Sequence, residues 1–209
     1  AQSVPPTLRR PSPARGIALQ ALEPAITSDR YRYRTVEVRL DRAERRANIT
    51  VHTPDQPPPH DPEQALALGA DWHPLRFARE LDDAILRLRT NESEIGTWVV
   101  HARGEAALQL AVDDFLAREQ GHWFVRATIS ALRRTLNRLE VSSRALYAVV
   151  DRDSCFAGTL FELALAADRI YMLDAENGPT IALSPANFGL YATLRDSARL
   201  EERFAADSD

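Results

Sequence analysis

Two amphipathic helices, each followed by a short apolar run, decide which class of fold this chain can adopt. After Pro74, apolar residues recur at helical spacing with Arg and Asp on the opposite side, and residues 122–140 repeat that pattern. Residues 95–100 and 145–150 are apolar and contain β-branched side chains, which predicts buried strands. Helices that alternate with buried strands indicate a layered α/β domain.

Shorter elements complete the predicted order. Residues 36–40 and 47–53 alternate polar with apolar side chains across a polar connection, which predicts a hairpin with one buried face. A short helix is predicted at residues 159–168, followed by strands at residues 169–173 and 180–183. The predicted order is therefore β, β, α, β, α, β, α, β, β.

The proline distribution divides the chain. Residues 1–30 are proline-rich with little apolar periodicity, which predicts a linker or arm before a folded domain at residues 31–209. Three consecutive prolines predict a loop at residues 55–61. The sequence starts at Ala1 and its only methionine is Met172, which predicts a segment of a longer chain.

Composition narrows the function classes. The 209 residues are 44% hydrophobic and 27% charged, which is typical of a globular protein that buries a core. A formal net charge of −4 argues against nucleic acid as a partner, because phosphate binding needs a basic surface. Cys155 is the only cysteine, the histidines have no metal-ligand spacing, and no apolar run is long enough to cross a membrane. We therefore expect a cytoplasmic protein without a metal site.

Residues 154–168 carry the strongest chemical signal. A strand, a small-residue turn and a helix start follow one another there, and unpaired amides at such a turn can stabilise an oxyanion. The stretch Glu162-Leu-Ala-Leu-Ala-Ala-Asp168 resembles a signature of the crotonase (enoyl-CoA hydratase/isomerase) superfamily. The resemblance implies a fold of repeated ββα units, with the C-terminal helices largely missing after Arg203.

Further matching stretches begin at Trp72, His122, Val141, Ser154 and Asn187. They resemble one family in that superfamily, the benzoyl-CoA-dihydrodiol lyases. Members carry two crotonase-like halves in one chain and open a dihydroxylated aryl-CoA ring with loss of formate, and this sequence resembles the second half. The resemblance implies an acyl-CoA substrate, no further cofactor, and an N-terminal half and further copies of the chain as partners.

The resemblance also implies site residues. The second oxyanion-hole amide falls at Thr159, beside Gly158, and the acid/base glutamate falls at Glu162. The first amide belongs to a Gly-Ala-Asp loop in the family. Its nearest counterpart here starts at Leu110 and lacks the glycine.

Departures from the family pattern keep other functions open. Ala186 stands where a second glutamate is expected, and the glycine-rich run is reduced to Gly158. These losses favour a structural or assembly half without catalysis, while Glu162 favours the lyase. A generic enoyl-CoA hydratase/isomerase is the third alternative.

Two of the residues in this segment also have local structural explanations. Thr159 and Glu162 fit a capping box, in which the Thr hydroxyl binds the N3 amide and the Glu carboxylate binds the cap amide. We expect this capping role for both residues, and we expect Cys155 to be a buried apolar residue rather than a nucleophile.

Overall fold

A seven-stranded sheet forms the centre of the computed structural model, which describes residues 16–205. In spatial order the sheet runs β1-β2-β3-β4-β5-β6-β8, and β7 with β9 forms a separate two-stranded sheet. The strands are β1 (Ala25–Ile26), β2 (Arg30–Arg32), β3 (Val36–Asp41), β4 (Arg46–His52), β5 (Thr97–Arg103), β6 (Ala145–Val150), β7 (Phe156–Ala157), β8 (Arg169–Met172) and β9 (Ile181–Ala182).

Six α-helices within the described residues connect and cover these strands. Three 3-10 helices, at Gly69–Asp71, Gly158–Leu160 and Pro185–Phe188, add short turns. The α-helices are α1 (Pro62–Leu68), α2 (His73–Asn91), α3 (Ala106–Arg118), α4 (Trp123–Glu140), α5 (Phe161–Leu165) and α6 (Arg199–Arg203).

Strand direction alternates from β1 to β4 and is constant from β4 to β8. The predicted hairpin is confirmed, since β3 and β4 pair antiparallel with Val38 opposite Ile49. From β4 onward, β4, β5, β6 and β8 are all parallel. Parallel neighbours need crossover connections, which here contain α2, α4 and α5.

The hydrophobic core lies between one face of the sheet and the helices α2 and α4. Alternate residues of the strands are buried, as in β5, where Trp98, Val100 and Ala102 are buried. The Thr135 hydroxyl in α4 donates to the Ala78 carbonyl in α2 at 3.1 Å and joins the two helices. Side chains at helical spacing on α2 and α4 fill the layer, as the apolar periodicity predicts.

Comparison with the predicted elements confirms the α/β class and the main helices. The structure adds α1 and α3, which the sequence did not predict, and shortens the helix predicted at residues 159–168 to a 3-10 turn followed by α5. The strand predicted at residues 95–100 starts later and extends to Arg103. No α-helix within residues 16–205 is long and apolar enough to cross a lipid bilayer.

The predicted linker at residues 1–30 lies partly outside the described residues, which begin at residue 16. Within its described part, Ala25–Ile26 forms β1 and pairs with β2 at the edge of the sheet. At the other end, α6 is the last element before the description stops at residue 205.

Candidate functional site

The turn at Gly158 brings Thr159 against α3. Gly158 has φ +48°, a conformation that L side chains rarely adopt, and a Cβ there would lie 1.7 Å from Oδ2 of Asp113. Glycine is required at this position because the chain and the Asp113 carboxylate approach so closely.

Asp113 accepts four hydrogen bonds inside the protein. The Thr159 amide donates to Oδ2 at 2.7 Å and the Thr159 hydroxyl donates to Oδ1 at 2.5 Å. Ser184 Oγ donates at 2.8 Å and Gln109 Nε2 donates at 2.9 Å. Burial raises the pKa of the Asp113 carboxyl, and these donors oppose part of that rise. The Thr159 amide, predicted to bind a substrate oxygen, therefore binds a carboxylate of the same chain.

Leu110 lies inside α3 rather than in a loop. An amide at this place in an α-helix donates to the carbonyl four residues earlier. The amides of Leu110 and Thr159 are thus both engaged within the chain. Their assignment as oxyanion donors stays a prediction, and the structure does not bring them together around an open space.

Glu162 is buried and holds two partners. Asn187 Nδ2 donates to Glu162 Oε1 at 2.7 Å, and Arg199 Nη1 lies 3.1 Å from Oε2. Burial raises the pKa of the Glu162 carboxyl, against the lowering effects of Asn187 and of the Arg199 charge. Arg199 also contacts Glu140 and Asn137. This ion-pair network joins α5 to α4 and α6.

The capping box predicted at Thr159 and Glu162 is wrong. Neither the 3-10 turn nor α5 has a side-chain cap, because both side chains bind residues distant in sequence. A capping box is present instead at Ser184 and Asn187, which start the 3-10 helix Pro185–Phe188.

We call Asp113, Thr159, Glu162, Ser184, Asn187 and Arg199 the buried polar cluster; each is at most 6% exposed. Tyr191 extends it, since its hydroxyl lies 2.9 Å from Thr159 Oγ1. Ala186, at the place of the missing second glutamate, is buried and its amide donates to Ser184 Oγ at 3.1 Å. Each side chain of the cluster is therefore hydrogen-bonded within the chain. Ala186 supplies no carboxylate at the position of the expected second glutamate.

A separate cavity of about 580 Å³ opens at the carboxyl ends of β4 and β5. We call it the open cleft; its lining includes Arg34, Arg76, Arg103, His52 and His73. Arg103 donates to both carboxylate oxygens of Asp151, at 2.8 and 2.7 Å. The sequence patterns do not indicate this cleft, because its residues come from four separate stretches of the chain.

Other candidate residues have structural roles. Cys155 is buried as predicted, and burial raises the pKa of its thiol. His73 is largely desolvated, which lowers its pKa to about 4. No group of three or more His, Cys, Asp or Glu side chains in residues 16–205 is arranged to hold a metal ion.

The sequence is similar to a known enzyme over almost its whole length. It is 43% identical over 205 residues to a benzoyl-CoA-dihydrodiol lyase from Aromatoleum evansii, a match that covers 98% of this chain and 37% of the relative. No family model matches the sequence. This chain thus spans little more than a third of the length of the curated relative.

Solved structures give lower similarity. An enoyl-CoA hydratase/isomerase from Bordetella parapertussis aligns with 83% of this chain and 62% of its own, at 15% identity and a TM-score of 0.48. An enoyl-CoA hydratase from Bacillus halodurans aligns with 66% of this chain and 49% of its own, at 19% identity and a TM-score of 0.43. The resemblance to benzoyl-CoA-dihydrodiol lyase predicted from the sequence is confirmed by the match to the lyase.

Proposed function

We propose that this chain is the second crotonase-like half of a longer lyase that opens the ring of a dihydroxylated aryl-CoA and releases formate. Within that enzyme the chain acts as a structural half, and the first half carries the reaction. The 43% identity to benzoyl-CoA-dihydrodiol lyase supports the first statement, because it extends over 98% of this chain. The CoA thioester is the substrate, and no cofactor is needed.

The hydrogen bond from the Thr159 amide to Asp113 is the observation that carries the structural role. An oxyanion hole stabilises charge only if its donors point at the position that the substrate oxygen will occupy. Here Asp113 Oδ2 occupies the position 2.7 Å from that amide. A negatively charged carboxylate there would also repel an enolate oxygen.

Glu162 supports the same conclusion. A general base must reach the proton it removes, directly or through one water. The Glu162 carboxylate is 2% exposed and is bound by Asn187 and Arg199. In this arrangement it stabilises the packing of α6 and is closed to a substrate.

A formate assay tests the proposal. The purified 209-residue chain is incubated with 2,3-dihydrodiol-benzoyl-CoA beside the intact lyase from Aromatoleum evansii, and formate is followed. We expect formate from the intact lyase only. Turnover by this chain at a rate comparable with that of the lyase would contradict the structural role.

The open cleft favours a second candidate function, the binding of an acyl-CoA without its conversion. Arg34, which lines the cleft, has a side chain that is 73% exposed, and guanidinium groups bind phosphates well. Calorimetric titration with benzoyl-CoA tests it. Saturable binding that Arg34→Gln weakens by about tenfold would support this function. No heat of binding at either of two well-separated temperatures would exclude it, because burial of apolar surface makes the binding enthalpy change with temperature.

A further inference from the structure

The carboxylate of Asp113 is enclosed by the protein and bound by neutral groups. The residue is 0% exposed, and none of the four groups that donate to it within residues 16–205 carries a positive charge. Each carboxylate oxygen accepts two of these hydrogen bonds. Hydrogen bonds to an ionised group are roughly twice as strong as those between neutral groups. The four donors therefore make a complete set of partners for one carboxylate.

Both Thr159 donors are held by contacts that do not involve Asp113. The Thr159 hydroxyl oxygen lies 2.9 Å from the hydroxyl of Tyr191, which is 1% exposed. The turn that carries the Thr159 amide is held by Asn187, whose Nδ2 donates to the Gly158 carbonyl at 3.0 Å. We therefore expect the amide and the hydroxyl to stay in place when the Asp113 carboxylate is removed.

The Ser184 donor is held in a similar way. The Ser184 amide donates to Asn187 Oδ1 at 3.0 Å, and the Ser184 hydroxyl oxygen accepts from the Ala186 amide at 3.1 Å. These bonds belong to the capping box and fix the hydroxyl beside Asp113. Gln109 differs, because its Nε2 donates to Asp113 while its buried Oε1 has no hydrogen-bond partner within residues 16–205. Three of the four donors are thus positioned without help from Asp113.

A small cavity lies beside these donors. Its volume is about 10 Å³, roughly the space for one water molecule, and Gln109 and Thr159 contribute to its lining. His73 and Val112 line this cavity and also the open cleft, which makes the two spaces adjacent. A small displacement of these two side chains would give an ion from the solvent a path to the donors.

We propose that the Thr159 amide, the Thr159 hydroxyl and the Ser184 hydroxyl form a pocket for a small free carboxylate such as formate or acetate, and that Asp113 fills this pocket in the wild-type chain. We call these three donors the carboxylate pocket. Because Asp113 belongs to the same chain as the donors, it excludes the free ion from them. The proposal concerns binding alone and does not rest on the lyase reaction, so the two can fail independently.

Two substitutions open the carboxylate pocket to ions of different size. Asp113→Ala removes the carboxylate and keeps Cβ, which leaves room for formate but not for the methyl group of acetate. Asp113→Gly also removes Cβ and leaves room for acetate. Urea unfolding of the full 209-residue chain with either substitution is measured in about 100 mM sodium formate, acetate or chloride.

Each variant should be stabilised by the ion that fits it. Formate should lower the unfolding equilibrium constant of Asp113→Ala about tenfold relative to chloride, which corresponds to a dissociation constant on the order of 10 mM. This affinity is within the limit for a ligand of three non-hydrogen atoms. Acetate should stabilise Asp113→Gly by a similar factor and leave Asp113→Ala unchanged. Ser184→Ala, added to Asp113→Ala, should weaken formate binding at least about fivefold, because one donor to a charged group is lost.

Three proteins serve as controls: the wild type, Asp113→Asn, whose side chain still fills the pocket, and Asp114→Ala, at an exposed position in α3. Formate should change their unfolding equilibrium constants by less than about twofold relative to chloride. If Asp113→Ala is unfolded in chloride, circular dichroism should show that formate restores its helix content. No effect of formate on Asp113→Ala, or an equal effect on Asp113→Asn, would overturn the proposal.

Discussion

The buried polar cluster and the open cleft lie side by side but differ in access: the cluster is closed by hydrogen bonds within the chain, and the cleft is open to solvent. His73 and Val112 line the open cleft and also a small cavity that reaches Thr159. On one side lie the residues at which the family resemblance places chemistry, and there hydrogen bonds within the chain occupy Thr159 and Glu162. On the other side lies open space with arginines, where the resemblance places no catalytic group. A family motif can thus persist in a sequence while its groups serve the packing of the protein.

Substitutions in the two regions should lower the free energy of unfolding by different amounts, and Asp113→Ala should lower it most. It leaves the Thr159 amide and the Ser184 hydroxyl buried without an acceptor, which should lower the free energy of unfolding by about 3–5 kcal/mol. Urea unfolding of this variant is compared with that of Asp114→Ala, at an exposed position on the same helix. Equal midpoints for the two variants would show that the cluster contributes nothing to stability.

Glu162→Gln should have the next largest effect. The amide keeps the shape of the side chain but leaves the Arg199 guanidinium, whose side chain is 2% exposed, with one carboxylate fewer. Breaking a buried ion pair in this way should cost about 3 kcal/mol, measured by thermal and urea unfolding. Glu201→Gln, at an exposed position in α6, is the control. Unchanged stability together with weaker benzoyl-CoA binding would instead assign Glu162 to a ligand site.

His73, at the boundary of the two regions, should make stability depend on pH. Its pKa of about 4 in the fold lies below the ordinary 6.5, because burial favours the neutral imidazole. The stability it contributes is therefore complete above pH 6.5 and is lost as pH falls from 6.5 through 4. The loss should be about 3 kcal/mol, because each unit of pKa shift corresponds to about 1.4 kcal/mol. In His73→Gln the free energy of unfolding should vary less with pH over this interval, whereas His60→Gln should follow the wild type. Equal pH dependence of stability in all three proteins would show that His73 is not its source.

Arg103→Gln, in the open cleft, should have the smallest effect. Arg103 is paired with Asp151 at a partly exposed position, where such pairs contribute at most about 1 kcal/mol. Urea unfolding measures the difference from wild type. A loss as large as that of Asp113→Ala would mean that the cleft, like the cluster, is a structural element.

Elements that bury one apolar face could be predicted from the spacing of apolar residues along the sequence. The apolar periodicity predicted α2 and α4, and the run of β-branched residues predicted β6, because each of these elements buries one apolar face. No comparable apolar pattern indicates α3, since Gln109 and Asp113 lie on its buried side, where apolar residues are expected. Their burial is possible only because Asp113 binds Thr159, 46 positions along the chain.

The same contact explains why the site could be predicted only in part. The residues of the turn at Gly158 and of α5 could be recognised from the family signature. The partners of Thr159 and Glu162 come from α3, the Pro185–Phe188 turn and α6, and no spacing in the sequence relates them. The capping-box interpretation was wrong for that reason, because it considered only neighbours in sequence.

The resonance of the Thr159 amide tests the closed oxyanion site most directly. In a ¹⁵N-resolved titration of the chain with benzoyl-CoA, we expect that this resonance does not shift at any ligand concentration and that its proton stays protected from exchange. An acyl-CoA bound in the open cleft would shift resonances of Arg34 or Arg103 and leave Thr159 unchanged. A saturable shift of the Thr159 amide would contradict a closed oxyanion site, because it would mean that a thioester oxygen displaces the Asp113 carboxylate.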